Sequence, residues 1–236
     1  MLEMQNLLLH QDGFKLLACV PYLGPKIYAV MGPSGAGKST LLLALAGFMP
    51  LESGALYWQG QEITACRPAE RPMAMLFQDN NLFPHLTAER NVALAVTQRK
   101  AVSLQTRKNI QTALARVGLG GLGSSKPGQL SGGQQSRVAL ARVLLQDKPI
   151  LLLDEPFNAL GPALKNDMLD LLQSLAQERQ ALVLMVTHNP QDALRIAQET
   201  LVVSDGTVSP PMPTAQLLAE PPSALAAYLG NNATRR

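Results

Sequence analysis

The run Gly32-Pro33-Ser34-Gly35-Ala36-Gly37-Lys38-Ser39-Thr40 constrains this chain more than any other stretch. It follows the apolar segment Ile27 to Met31 and leads into Leu41-Leu42-Leu43-Ala44-Leu45-Ala46, so a short strand passes through a glycine-rich turn into a helix. In that context the order G-x-x-x-x-G-K-[ST] is a phosphate-binding loop. Its glycines let successive N–H groups face inward, and a helix starting near Lys38 adds the positive end of its dipole. Lys38 then reaches the β- and γ-phosphate oxygens of a nucleoside triphosphate, and the Ser39 hydroxyl is a ligand for Mg²⁺. The loop by itself does not say which machine uses the nucleotide.

The flanking chain reads as strands, then helices, then strands. From Met1 to Val20, Phe14, Leu16, Ala18 and Val20 alternate with Lys15, Leu17 and Cys19, which predicts an antiparallel edge. Ala55 to Trp58 before Gln59-Gly60-Gln61 predicts a strand and hairpin. Pro72 to Phe77 predicts a buried strand closed by Gln78-Asp79-Asn80-Asn81; Gln78 there is either a surface turn residue or an amide set near a metal and an attacking water. Strand signals vanish from Pro84 to Gln146. Helix formers dominate Ala88 to Gln98 and Ser103 to Val117, broken by Gly118, Gly120, Gly121 and Gly123, so a helical insertion with its own small core and a flexible glycine stretch is expected. Leu130-Ser131-Gly132-Gly133-Gln134 then opens a helix, Gln135 to Gln146. A serine and two glycines at a helix start fit a plain N-cap or a second anion-binding end equally well.

Ile150 to Leu153 is apolar throughout and ends in Asp154-Glu155, the pattern of a central parallel strand buried on both faces. The C-terminal ends of such strands are where α/β sheets hold ligands. Asp154 is placed as the acidic Mg²⁺ partner of Ser39, and Glu155 as a group that orients and deprotonates a water. Ala181 to Thr187 is a further buried strand finishing at His188; a lone histidine at a strand end is usually structural, but an imidazole at this edge of the sheet can also hydrogen-bond a γ-phosphate. Leu201 to Val208 predicts a hairpin, and the Pro- and Ala-rich tail from Ser209 one or two short helices.

Composition narrows the partners. With 20 Lys plus Arg interspersed among 17 Asp plus Glu, no basic block forms and a nucleic-acid partner is not expected. Cys19 and Cys66 stand alone without metal spacing, which suits a reducing compartment. There is no cationic signal start at Met1 to Gln5 and no apolar run near the roughly 18 residues of a membrane span, so a cytoplasmic location is expected.

In order and spacing, Gly32 to Thr40, Gln78, Leu130 to Gln134, Ile150 to Glu155 and His188 resemble the ATP-binding-cassette (ABC) ATPases. The resemblance implies an α/β fold in one cassette domain, 1–236. Its RecA-like P-loop NTPase core, with an antiparallel β subdomain, would span 1–83 and 148–208, an inserted helical subdomain 84–147, and a short tail 209–236. It implies ATP and Mg²⁺, nucleotide contacts from Gly32, Pro33, Ser34, Gly35, Ala36, Gly37, Lys38, Ser39 and Thr40, and metal contacts from Ser39, Gln78 and Asp154. Glu155 would be the catalytic base, His188 the switch histidine and Gln78 the metal sensor. It also implies a head-to-tail homodimer in which Ser131, Gly132, Gly133 and Gln134 bind the partner's nucleotide. Such an ATPase sits on the inner face of the inner membrane, bound to a permease served by a periplasmic binding protein. Arg71-Pro72, Met75 to Phe83, His85-Leu86-Thr87 and Gly47-Phe48 are similar to the ATPase subunits of bacterial thiamine importers. An importer for iron or an inorganic anion, or a soluble cassette ATPase outside transport, is the other reading.

Two positions depart from the family pattern. Asn158-Ala159-Leu160-Gly161 ends in glycine where the family has aspartate, so weaker coupling between the two sites is expected, without loss of hydrolysis. No aromatic for stacking on adenine is evident, with His10 or Phe14 the substitutes in the expected region. Restoring the carboxylate by Gly161→Asp is expected to raise the cooperativity of ATP hydrolysis, read as the Hill coefficient of the rate against ATP concentration.

Overall fold

The structure is a computed structural model and describes residues 1–11, 13–97 and 103–233. β1 (Leu2–Gln11) and β2 (Phe14–Leu23) precede β3 (Ile27–Met31), which runs through the glycine-rich loop into α1 (Lys38–Ala46). β4 (Ser53–Trp58), β5 (Gln61–Glu62) and β6 (Met73–Leu76) are followed by α2 (Ala88–Ala93), α3 (Leu104–Arg116) and α4 (Gly132–Leu145). Strands and helices then alternate as β7 (Ile150–Asp154), α5 (Pro162–Arg179), β8 (Leu182–Val186), α6 (Pro190–Ile196) and β9 (Glu199–Ser204). β10 (Thr207–Val208), β11 (Met212–Pro213), α7 (Thr214–Ala219) and α8 (Ser223–Ala233) complete the described chain. The sheet runs β5-β4-β1-β2-β10-β9-β3-β8-β7-β6, with β11 added beside β9.

β9, β3, β8, β7 and β6 are mutually parallel, whereas β2, β1, β4 and β5 form an antiparallel arm. The expected antiparallel edge is therefore interior to that arm, since β1 lies between β2 and β4. Successive side chains of a strand leave opposite faces. Ala29, Leu151, Leu153, Val183 and Met185 enter an apolar cluster shared with the helices α2 to α6. Val30, Ile150, Leu152 and Leu184 enter a second cluster with α1 and the antiparallel arm. Both faces are covered, which is why β3, β8 and Ile150 to Leu153 of β7 are apolar at successive positions rather than at alternate ones. Both predicted hairpins form, and each turn has positive φ at its two central residues, Gln59 (51°) and Gly60 (80°), Asp205 (48°) and Gly206 (71°). That is the twist two-residue hairpins require.

α1 has no polar stripe beyond its first turn, because Leu41, Leu42, Ala44, Leu45 and Ala46 are buried between the parallel strands and the antiparallel arm. Its carbonyl end is closed by a side chain distant in sequence. Arg71, 3% exposed, donates from Nη1 to the carbonyls of Ala44 (2.9 Å) and Leu45, from Nη2 to Thr64 O (2.7 Å) and from Nε to Cys66 O (3.1 Å). A cation there also meets the negative end of the helix dipole.

The helices between β6 and β7 do not close a core of their own. Ala88, Val92, Ile110, Leu114, Val138 and Leu140 belong to the same apolar cluster as Ala29, Leu151 and Met185, so the insertion is continuous with one face of the sheet. The glycine-containing stretch is pinned by Ala88 N–H to Ser125 O (2.8 Å) and Glu89 N–H to Gly123 O (2.9 Å). α2 is shorter than the expected Ala88 to Gln98: it ends at the Leu94 cap, and Gln98 lies outside the described residues. α4 begins at Gly132, earlier than the expected Gln135, because the Ser131 hydroxyl accepts from the Gln134 N–H (3.3 Å) while Gln134 Oε1 accepts from the Ser131 N–H (2.8 Å). This reciprocal capping box carries both glycines into the first turn. Among the described residues no helix is long and apolar enough to cross a membrane.

Replacing Arg71 by Met keeps the apolar volume and removes the side-chain donor to four carbonyls, of which Ala44 O retains the Gly47 N–H (3.0 Å). The expected loss is about 2–3 kcal/mol of unfolding free energy in urea.

Candidate nucleotide site

The loop after β3 is shaped by close approaches. Gly32 has φ 150°, and a Cβ there would overlap the carbonyl oxygen of Val203 on β9, so only glycine lets the chain leave the sheet at this point. Gly37 (φ 98°) is the N-cap of α1, and a Cβ on it would lie 2.5 Å from Cζ of Phe14. Lys38 is buried, and its Nζ donates to Gly32 O (2.8 Å) and Pro33 O (2.7 Å) across the base of the loop. Burial pushes the Lys38 pKa down, while Glu155 and Asp154 pull it back up.

β7 delivers the carboxylates to this loop. Asp154 is 4% exposed. It hydrogen-bonds the Ser39 side chain, while its Oδ1 is buried without a hydrogen-bond partner among the described residues. Burial holds the Asp154 pKa above its ordinary value; Glu155 adds to the rise, and Ser39 and Lys38 oppose it. A hydroxyl beside a carboxylate oxygen that lacks a partner is an oxygen donor pair suited to a hard cation such as Mg²⁺. Glu155 leaves the strand with φ 48°, the left-handed region, and its N–H bonds Val186 O (3.2 Å). Its Oε2 accepts from Asn158 Nδ2, and its Oε1 lies 3.7 Å from Nδ1 of His188, the exposed residue just beyond β8.

These residues border one cleft of about 440 Å³, lined by Phe14, Ser34, Gly35, Gly37, Lys38, Ser39, Thr40, Gln78 and Glu155. Gln78, exposed at the end of β6, thus faces the glycine-rich loop, and His188 joins through Glu155. Ser131, Gly132, Gly133 and Gln134 do not line this cleft; Ser131 and Gly132 are exposed at the start of α4, with the Asn158–Gly161 loop packed beside them. Of the two aromatic candidates, Phe14 lines the cleft, whereas His10 Nδ1 lies 3.4 Å from Glu52 Oε2 and is not among the lining residues. Lys38 and Glu155 thus bring an ammonium and a carboxylate to the wall of one cleft, a pairing suited to binding a phosphate and activating a water beside it.

Two contacts at this site have no counterpart in the sequence reading. One is the Asn158 amide on Glu155. The other is Arg142 of α4, half-buried, which donates from Nη1 to Asn81 O (2.8 Å) and from Nη2 to Asn80 O (2.8 Å), so α4 holds the loop after Gln78. Asn80 (φ 58°) and Asn81 (φ 50°) are both left-handed, a conformation asparagine tolerates better than most residues, and their pairing was the one available signal of a sharp turn.

Residues 24–158 match the family described as ABC transporter. The chain is 52% identical over 230 residues to the thiamine import ATP-binding protein ThiQ of Ruegeria sp. (strain TM1040), covering 98% of this chain and 100% of that one. It is 53% identical to the ThiQ protein of Cereibacter sphaeroides over the same shares. Among solved structures it is similar to the ATP-binding cassette MJ0796 in a dimeric post-hydrolysis state bound to ADP and Pi, with TM-score 0.79 and 29% identity over 91% of this chain and 99% of that one.

An Asp whose folded pKa lies above its unfolded value binds its proton more tightly when folded, so it subtracts stability as pH rises from the unfolded pKa through the folded one. At neutral pH Asp154 is therefore a local cost. Asp154→Asn is expected to raise the thermal midpoint measured without nucleotide or metal by a few degrees, about 1 kcal/mol.

Proposed function

The chain belongs to the ABC transporter family, and from that premise we propose that it is the ATP-hydrolysing subunit of an importer whose cargo is thiamine. One observation carries the cargo: half of all residues are identical to thiamine import ATPases across essentially the whole of both chains. The cassette comprises a core in 1–83 and 148–208, a helical part in 84–147 and a tail in 209–236.

The N–H groups from Gly32 to Thr40 and the Lys38 ammonium bind the triphosphate of ATP, Lys38 exchanging the Gly32 and Pro33 carbonyls for phosphate oxygens. Ser39 and Asp154, with Gln78 on the same cleft, would hold Mg²⁺, which would neutralise phosphate charge when bound. Glu155 takes a proton from a water as that water's oxygen bonds the γ-phosphorus and the bond to the β–γ bridging oxygen breaks. His188, whose Nδ1 lies 3.7 Å from the other oxygen of that carboxylate, would hydrogen-bond the γ-phosphate. Phe14, on the wall of the cleft, is the aromatic offered to the base.

Two copies join head to tail, so that Ser131, Gly132, Gly133 and Gln134 of one close over the nucleotide of the other. The exposure of that turn, away from its own chain's cleft, supports this arrangement. The permease binds beside the glutamine loop. Supporting this is a groove of about 430 Å³ lined by Phe48, Ala69, Met73, Met75 and Phe77, where the exposed Phe48 meets Phe77 edge-on at 5.3 Å. The protein then lies in the cytoplasm against the inner membrane, and a periplasmic binding protein reaches it only through the permease.

Co-expression with the permease and binding protein of the same importer is expected to yield a membrane complex that moves thiamine into vesicles only with ATP. A stable complex with soluble partners alone, or uptake of a different solute, would reject the assignment. Glu155→Gln is expected to bind ATP, persist as a dimer and hydrolyse at least ~100-fold more slowly in a phosphate-release assay.

A further inference from the structure

Glu155 is held in a backbone conformation that is unfavourable for a residue with a side chain. Its N–H is tied to β8 through Val186 O, and its Oε2 accepts from the amide of Asn158. Asn158 itself is exposed, so burial does not fix it. What fixes it is the segment it begins. Ala159 and Leu160 rest on the turn that opens α4: a Cβ at Gly133 would lie 2.9 Å from Leu160 Cδ2 and 3.3 Å from Ala159 O, and one at Gly132 would touch Ala159 Cβ at 4.0 Å. On the far side, Gly161 contributes no side chain and is followed by Pro162 at the start of α5, where Lys165 N–H bonds Gly161 O (2.9 Å).

We propose that Asn158 is the positioning residue for Glu155. Its amide holds one carboxylate oxygen while His188 lies beside the other, and the seat of Ala159 and Leu160 on the Gly132-Gly133 turn holds the amide. Only side-chain donors at position 158 of suitable reach satisfy this geometry. An aspartate there has no donor and sets a second negative charge against Glu155, and an alanine leaves Oε2 free to swing. The inference rests on the ATP-hydrolysing role argued above, with Glu155 as the base.

The test is steady-state ATP hydrolysis by the full chain and by Asn158→Ala, Asn158→Ser and Asn158→Asp, with thermal midpoints measured alongside. Misplacing a catalytic group lowers kcat without weakening substrate binding. The expected order of kcat is therefore Asn, Ser, Ala, Asp. Ala should fall about tenfold or more, with the KM for ATP within about twofold of the parent in every variant, Ser recovering part of the loss and the midpoints unchanged. Turnover of Asn158→Ala within about twofold of the parent overturns the proposal, and so does a loss that follows KM or the thermal midpoint instead of the donor. Normal hydrolysis in Asn158→Ala overturns this proposal alone. Absence of hydrolysis in the unsubstituted chain overturns the catalytic reading together with it.

Discussion

Burial of the parallel strands on both faces is the constraint from which the rest of the structure follows. A strand covered on two sides has no position for a polar side chain except at its ends, and the two clusters divide Ile150, Leu151, Leu152 and Leu153 between them without remainder. Asp154 and Glu155 occur where that cover ends. The strand ends also interlock: Glu155 N–H bonds Val186 O, and Thr187 N–H bonds Val30 O. The exits of β3, β7 and β8 are thus tied side by side, and the loops they launch converge on one cleft.

The phosphate loop gains its rigidity from the helix behind it. α1 is wedged between the two parts of the sheet, and Arg71 satisfies its carbonyl end from a distance of 26 residues in sequence to Leu45. The amide end is thereby left as the free pole of the helix, facing the cleft. Lys38, at that pole, bonds two carbonyls of its own loop, so the loop is closed on its own cation. The price of this arrangement sits at Asp154, a buried carboxyl whose Oδ1 has no partner among the described residues and whose pKa is raised by burial. An orphaned acceptor beside a hydroxyl is the strain one expects where a cation is to be held.

Much of this was legible in the sequence because it depends on local rules. Gly60 and Asp205-Gly206 announce hairpins because the left-handed region suits them, and Ser131 announces the approach of a helix start as an N-cap residue, although its pairing with Gln134 moves that start three residues earlier than expected. Apolar runs announce strands covered on both sides. Apart from the Asn158 amide on Glu155, the unread features share a different cause. Arg71 bonding Ala44, Arg142 bonding Asn80 and Asn81, and Asn91 bonding Phe83, Leu86 and Thr87 all donate from a side chain to backbone carbonyls. A carbonyl is present at every residue, so no pattern of residue types marks which one is the partner. The separate core expected of the helical insertion gives way to one shared with the sheet for a related reason. Periodicity shows which face of α4 is apolar, but not that one stretch of that face meets both the sheet and α3.

The polar ties then determine which parts of the cleft can be displaced together. Arg142 fastens α4 to the loop after Gln78, so a shift of α4 must carry the glutamine with it or break two hydrogen bonds from a half-buried guanidinium. On the other side, Lys165 of α5 pairs with Asp192 of α6 at 2.9 Å in a largely buried setting, and Arg195 grips Asp170 through two nitrogens. α5 follows the Asn158–Gly161 loop and α6 follows His188, so the groups flanking Glu155 belong to one braced pair of helices. Glu155 and His188 are thereby braced together, while Gln78 answers to α4. The contact between the two sets is the seat of Ala159 and Leu160 on the Gly132-Gly133 turn. The Gly132-Gly133 turn is therefore joined to Glu155 through the adjoining loop and to the segment after Gln78 through Arg142 of the helix it opens, two short paths that start from the same few residues.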